Sequence, residues 1–247
     1  MSDLEKISEI IQKMKDPNSS NWCLELQQAL DIIWNSPSDH WRSAAIVYYI
    51  VHSGEIDFEP KYLKFLHKLI ATLTRIHAVT GTALSIRFPV LELNIQSIKS
   101  DHPNFPANDF TDQDVDNAIR QNGLITRTIL RIIAYSDPDQ KTILPSKLPL
   151  AWEIEHILPQ NFQQNYAPKD PAIINAIGNL TPLEKSLNIS AKNKSFNDKT
   201  GWYQTSSISM TKKIGSLDSW DANAISNRSD EMINQILDLF KKWDSEY

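Results

Sequence analysis

Apolar residues recur at helical spacing through the first 135 residues of the chain. Leu4, Ile7, Ile10, Ile11 and Met14 form an i, i+3, i+4, i+7 stripe that Asp16-Pro17-Asn18 ends. A second amphipathic segment, WCLELQQALDIIW, follows Ser19-Ser20-Asn21, and Asp39 is placed to cap a third that runs through AAIVYYIV. Glu59-Pro60 opens a fourth, KYLKFLHKLIATLTRIHAV, which stops at Gly81. LSIRFPVLELNIQSI predicts another helix with Pro89 as a kink. Thr111 and Asp112 cap a helix containing VDNAI. LITRTILRIIAY forms the next and sets Arg127 and Arg131 four apart on one face.

The texture changes after Tyr135. SDPDQKTILPSKLPL holds three prolines between short apolar runs, which predicts extended chain and a boundary near residue 145. EIEHIL reads as a strand and QNFQQNYAPKDP as a polar loop. AIINAI predicts a turn of helix, after which Gly178 lets the chain return as NLTPL. One or two short helices span Leu183 to Lys199. A long final helix from about Ala222 to Trp243 carries Met232, Ile233, Ile236, Leu237, Phe240 and Trp243 as its apolar stripe. The expected fold class is mainly α. A helical domain occupies residues 1–145, a strand-loop-strand-helix core 146–215, and a C-terminal helix, 216–247, packs back on the core or the helical domain.

Composition narrows the function. The chain has 247 residues, 41% apolar and 22% charged, enough to bury a core as one large domain or two smaller ones. It lacks the run of about 18 apolar residues that a membrane helix needs, and MSDLEKISEI is unlike a signal peptide. The one cysteine, Cys23, excludes an internal disulfide and a Cys-cluster zinc site. Beside Trp22 and Leu24 it reads as a small buried hydrophobe. These features favour the cytoplasm. The net charge of -5 conceals local contrast: residues 61–99 carry six basic and one acidic side chain, and residues 184–213 carry six lysines against two acids. Basic faces of this kind can hold a phosphate backbone, and they can equally be solvated helix faces.

The order of polar residues within the strand-loop-strand-helix segment is more specific. Glu155-His156 is followed by Asn179, then by Asn188 nine residues later, with Asn193 and Asn197 beyond. Taken singly, each has an ordinary reading: Asn179 as a turn residue after Gly178, Asn188 and Asn193 as helix caps. Together, EHILPQ, IGNLTPLEKSLN and NKSFNDK resemble the ββα-metal, or His-Me finger, motif of HNH endonucleases. Within that group they most resemble the C-terminal nuclease domain of GmrSD-type modification-dependent restriction enzymes. The motif resemblance covers roughly residues 150–200, and FLHKLIATLTRIHAVTG is similar to the helical segment that precedes the nuclease there.

The resemblance implies a metal-dependent DNA endonuclease with His156 as general base. Glu155 and Asn188 would hold a divalent cation, Mg²⁺ or Mn²⁺ and not zinc, and Asn179 would hold the loop and orient the histidine. Histidine suits the task because its pKa lies near neutrality, and a hard cation with oxygen ligands suits a phosphodiester. Adjacent strand residues point to opposite faces, so Glu155 and His156 serve one site only if the strand bends between them. Lys194 and Lys199 are the expected phosphate contacts, with Arg127 and Arg131 added and Asn193 in support. Gln160 and Asn161 are surface-loop residues within reach of DNA. His67 and His77 read as packing or helix-surface residues, and His40, His52 and His102 suggest no metal spacing.

Two departures from the family pattern stand out. Many HNH sites carry aspartate where this chain has Glu155. The Asp-Gly-Gln-Gln-Arg run of the family's nucleotide-hydrolysing domain does not occur in the sequence. The expected partners are therefore DNA and a nucleotide-hydrolysing protein or a missing N-terminal domain. The chain reads as half of a split system, a fragment or a free-standing derivative. A catalytically inactive DNA-binding or assembly module, or an RNA-directed nuclease or toxin, would carry the same motif.

Overall fold

A computed structural model describes residues 3–16, 21–106, 109–121, 123–140, 152–160 and 171–247. The expected boundary near residue 145 and residues 161–170 of the polar loop, Asn161 among them, lie outside the described residues. The protein is mainly α with one small sheet. Its elements are α1 (Asp3–Lys15), α2 (Leu24–Trp34), α3 (Trp41–His52), α4 (Phe58–Thr80), α5 (Arg87–Lys99), α6 (Asp112–Gln121), α7 (Thr126–Ser136) and β1 (Trp152–His156). Then come α8 (Pro171–Ile174), β2 (Leu180–Glu184), α9 (Lys185–Ala191), α10 (Phe196–Thr205), α11 (Ser209–Ile214) and α12 (Ala222–Glu246). No described helix is long and apolar enough to cross a membrane.

Contacts divide the chain into two compact units. One comprises Met1–Ala118, Asn122–Thr128 and Leu237–Tyr247; the other comprises Ile119–Gln121 and Ile129–Ile236. In the first, α4 is the central element. Tyr62, Phe65, Leu66, Leu69, Ile70, Leu73, Ile76 and His77 are all buried along its length. Gly81 ends it in the left-handed region at φ 66°, where a side chain would be strained. Aromatic packing organises this core: Tyr48 stacks on Phe65 at 4.1 Å and on Tyr62 at 5.9 Å. The end of α12 closes on α4 within the same unit, through His67 against Trp243 at 4.4 Å and through Lys68 and Arg75 on the Asp244 carboxylate.

Three local expectations are corrected here. Pro89 sits in the first turn of α5, where its missing N–H has no intrahelical partner to lose, so no kink arises. Asp39 does not cap α3; His40 holds that position and Asp39 pairs with Arg42 at 2.8 Å. Cys23 is exposed, not buried, and stands as the residue before α2 with its backbone N–H donating to Glu59 Oε1 at 2.6 Å. Thr111 caps α6 through reciprocal bonds with Asp114.

The second unit is built on an antiparallel hairpin, β1 against β2, in register from Trp152↔Glu184 to His156↔Leu180. Helices α9 to α11 follow β2 directly, and their Ala191, Phe196, Tyr203 and Ile214 share one core with Leu183 of β2, Ile157, Trp220 and Ile225. Gly178, just before β2, runs against α12. A Cβ there would lie 2.1 Å from the Ile225 carbonyl oxygen and 2.7 Å from the Ser229 nitrogen, so only glycine fits this close approach.

Candidate active site

Strand alternation sends Glu153 and Glu155 to one face of β1 and His156 to the other. The ladder stays in register through His156, so the bend that would bring Glu155 and His156 together does not occur there. The Glu155 carboxylate, 5% exposed, faces α10. Its Oε1 accepts from Lys199 Nζ at 2.6 Å and from Tyr203 Oη at 2.8 Å. Lys199 also donates to the His156 carbonyl oxygen at 2.7 Å, so one ammonium ties the end of β1 to α10. Burial lowers the Lys199 pKa against the raising effect of Glu155, and burial beside that carboxylate drives the Tyr203 hydroxyl well above its ordinary value.

Glu153, partly exposed, meets α9 instead. Asn188 Nδ2 donates to Glu153 Oε2 at 2.9 Å. The asparagine expected beside Glu155 therefore sits beside the carboxylate two residues earlier.

The His156 imidazole is half-buried, and Gln160 Nε2 lies 3.0 Å from its Nε2. That same amide reaches Asn175 Oδ1 at 3.4 Å, and Asn175 bonds the ring as well. Desolvation lowers the His156 pKa below 6.5, outweighing Asn175 and Glu155, which raise it. Burial thus favours the neutral imidazole, whose Nε2 can accept from the Gln160 amide.

Asn179 fixes the chain beyond His156. Its Oδ1 accepts from the Leu158 N–H at 2.8 Å and from Trp220 Nε1 at 3.1 Å. Its Nδ2 donates to the Leu158 and Ile174 carbonyls at 2.9 and 2.8 Å. Donors on one side and carbonyls on the other leave a single amide orientation. The side chain is fully buried with all four bonds made, so its cost of burial is offset. Around it, Ile157 N–H donates to the Asn179 carbonyl at 2.9 Å, and Arg228 holds the Gly178 and Leu180 carbonyls.

The remaining candidates separate by burial. Lys199 is corrected from a phosphate contact to a buried structural cation, since a residue with no solvent exposure cannot meet a backbone phosphate. Arg131 is likewise buried, with its guanidinium 5.1 Å from the Trp152 ring centroid. Arg127 is partly exposed in the first turn of α7. Lys194 is exposed and rests over the Trp202 ring at 4.1 Å, a cation on an aromatic platform. Asn193 is exposed in the turn after α9 and caps nothing; Ser195 caps α10 through the Asp198 N–H.

The Glu153 carboxylate and the Asn188 amide oxygen are ligands of the kind a hard cation takes, and both side chains stay partly open to solvent. They meet through Asn188 Nδ2, and Lys185 Nζ stands 3.8 Å from the other Glu153 oxygen, so an ion would displace both contacts. Glu155 does not fit, because its charge is matched by Lys199 in a nearly closed site. Among the described residues no group of three or more His, Cys, Asp or Glu side chains could hold a metal, so a cation on Glu153 and Asn188 would take most of its ligands from water and phosphate. Glu153 and Tyr203 escaped notice in the sequence, yet both signals were present. Glu153 lies two residues before Glu155, on the same strand face, and Tyr203 lies one helical turn after Lys199.

No curated protein and no solved structure matches this chain. A family model does match, over residues 107–235, and its description is GmrSD restriction endonucleases, C-terminal domain. The matched span is more than half of the chain and contains the hairpin, Asn179, Asn188 and the buried Lys199–Glu155 pair. The chain belongs to the C-terminal domain family of the GmrSD restriction endonucleases.

Proposed function

We propose that this protein is a metal-dependent DNA endonuclease, the cutting part of a restriction system directed at foreign or base-modified DNA in the cytoplasm. The observation that carries the reading is the place of His156: half-buried at the end of β1, with Nε2 3.0 Å from an exposed amide, and with burial lowering its pKa. Such a ring can take a proton from water. In the reaction, water replaces the Gln160 amide at Nε2 and its oxygen attacks phosphorus in line while His156 accepts the proton. The P–O3′ bond breaks and the leaving oxygen takes a proton from solvent, giving a 5′-phosphate and a 3′-hydroxyl.

Asn179 keeps the loop after His156 from shifting, and Lys199 pins the His156 carbonyl. Glu153 and Asn188 would hold a divalent cation, Mg²⁺ or Mn²⁺, that neutralises charge on the DNA backbone from the face of β1 opposite His156. Lys194 on Trp202 supports contact to the DNA backbone, and Arg127, in the other unit, is a separate candidate for such a contact. A nucleotide-hydrolysing partner, or such a domain on a longer chain, would supply control.

The test is nicking of supercoiled plasmid with Mg²⁺ or Mn²⁺, with and without EDTA, followed by ligation. The reading expects nicks only with free metal, sealed by DNA ligase without end repair. Cutting of RNA but not DNA would replace the substrate. Salt-sensitive DNA binding without any cutting would favour an inactive binding module.

A further inference from the structure

Helix α5 is apolar on two opposite faces. Ile86, Val90, Leu93 and Ser97 turn inward and are buried. On the other side Phe88, Leu91, Ile95 and Ile98, with Leu84 one turn ahead of them, stand between 49% and 78% exposed. Their spacing of four, three, four and three residues is the a/d repeat of a coiled-coil seam. Scattered exposed leucines need no explanation, but a continuous stripe of five large side chains marks a contact surface.

We propose that this stripe pairs α5 with α5 of a second copy of the chain, in parallel, to make a two-fold dimer. Two arguments single out a second copy. The first is charge. With Phe88 and Ile95 at a positions and Leu91 and Ile98 at d, Arg87 falls at g and Glu92 at the following e. In a parallel pair each g residue faces the e residue five places on in the partner, so Arg87 of each copy meets Glu92 of the other. Both side chains are exposed and the complementarity is satisfied twice by the symmetry. The second is area. The five side chains expose on the order of 500 Å² in each copy, so pairing removes about 1,000 Å², the lower limit for a specific interface. Register needs nothing else from the fold, because the inward face already holds α5 against α3 through Asn94 to Ser43 and His52 to the Ser97 carbonyl. The pairing stands whether or not the candidate site cuts.

Light scattering on the full chain, from about 1 to 100 µM, tests the pairing. The wild type should pass from 28.2 kDa toward twice that mass, and the double variant Leu91→Glu/Ile95→Glu should remain at 28.2 kDa with unchanged circular dichroism. Arg87→Glu or Glu92→Arg alone should weaken association about tenfold, and the two together should restore it. A wild type that is monomeric throughout, or a Leu91→Glu/Ile95→Glu variant that still dimerises, would overturn the proposal. Failure of the charge swap to restore association would overturn the parallel pairing.

Discussion

Lys199 Nζ and Glu155 Oε1 form a buried ion pair at 2.6 Å, directly under the strand that ends in His156. Both charges are out of water, and each is held further by a second bond, Lys199 to the His156 carbonyl and Glu155 from Tyr203. Such pairs add little compared with apolar residues of the same shape, yet breaking one strands the other charge. Lys199→Met should therefore lower stability by about 3–5 kcal/mol, and the double variant Lys199→Met/Glu155→Gln should regain much of that. Urea unfolding of the three proteins measures both. A single-variant loss below about 1 kcal/mol would mean that the carboxylate finds water or a proton instead.

The same pair takes Glu155 out of reach of a cation and leaves Glu153, whose contact with Lys185 is exposed and 3.8 Å long. Calorimetric titration with Mn²⁺ should show Glu153→Gln and Asn188→Ala each weakening binding at least about tenfold. Lys199→Met/Glu155→Gln should leave it near the wild-type value. The opposite ranking would return the ligand role to Glu155.

Helix positions were legible because burial in this fold follows the 3.6-residue period, with Gly81 and the Thr111–Asp114 cap marking ends by chemistry that sequence displays. The order strand, return, helix around His156 was legible from the short run EIEHIL and the turn at Gly178. What the sequence hid is the facing of individual polar groups. Lys199 stands in a lysine-rich stretch and reads as a solvated cation, but Phe196 and Tyr203, three before and four after it, place it on the buried face of α10. Glu155 and Glu153 share a strand face, and only the placement of α9 and α10 decides which meets Asn188 and which meets Lys199. The fifth helix misled differently: two apolar faces blur one period, and a proline in the first turn resembles a break.

Gly178 tests the packing that holds Asn179 in place. Gly178→Ala forces a methyl against the backbone of α12, at the Ile225 carbonyl and the Ser229 nitrogen, where no side-chain movement relieves the contact. The expected loss is at least about 2 kcal/mol in urea unfolding. Full stability in this variant would show that the 177–179 turn can move away from the helix.

His67 gives a pH signature independent of the candidate site. Burial depresses its pKa from 6.5 to about 4, with the ring stacked on Trp243. The unfolded chain then binds a proton that the folded chain refuses between those values. Its contribution is full above pH 6.5 and is lost progressively as pH falls toward 4. His67→Phe keeps an aromatic ring on Trp243 and removes the proton. The drop in melting temperature between pH 6.5 and 4 should be smaller in this variant than in the wild type. Parallel curves would mean that His67 titrates normally.

The claim that matters most is that His156 moves the proton. Single-turnover plasmid nicking, compared between wild type and His156→Ala purified in parallel, measures it directly. Loss of the base should slow cutting by at least about 100-fold. Melting temperature and Mn²⁺ affinity should stay near wild type, because the ring packs at a half-exposed edge and does not sit on the Glu153–Asn188 face. A His156→Ala protein that cuts within a few-fold of wild type would contradict the account and place the chemistry elsewhere in the molecule.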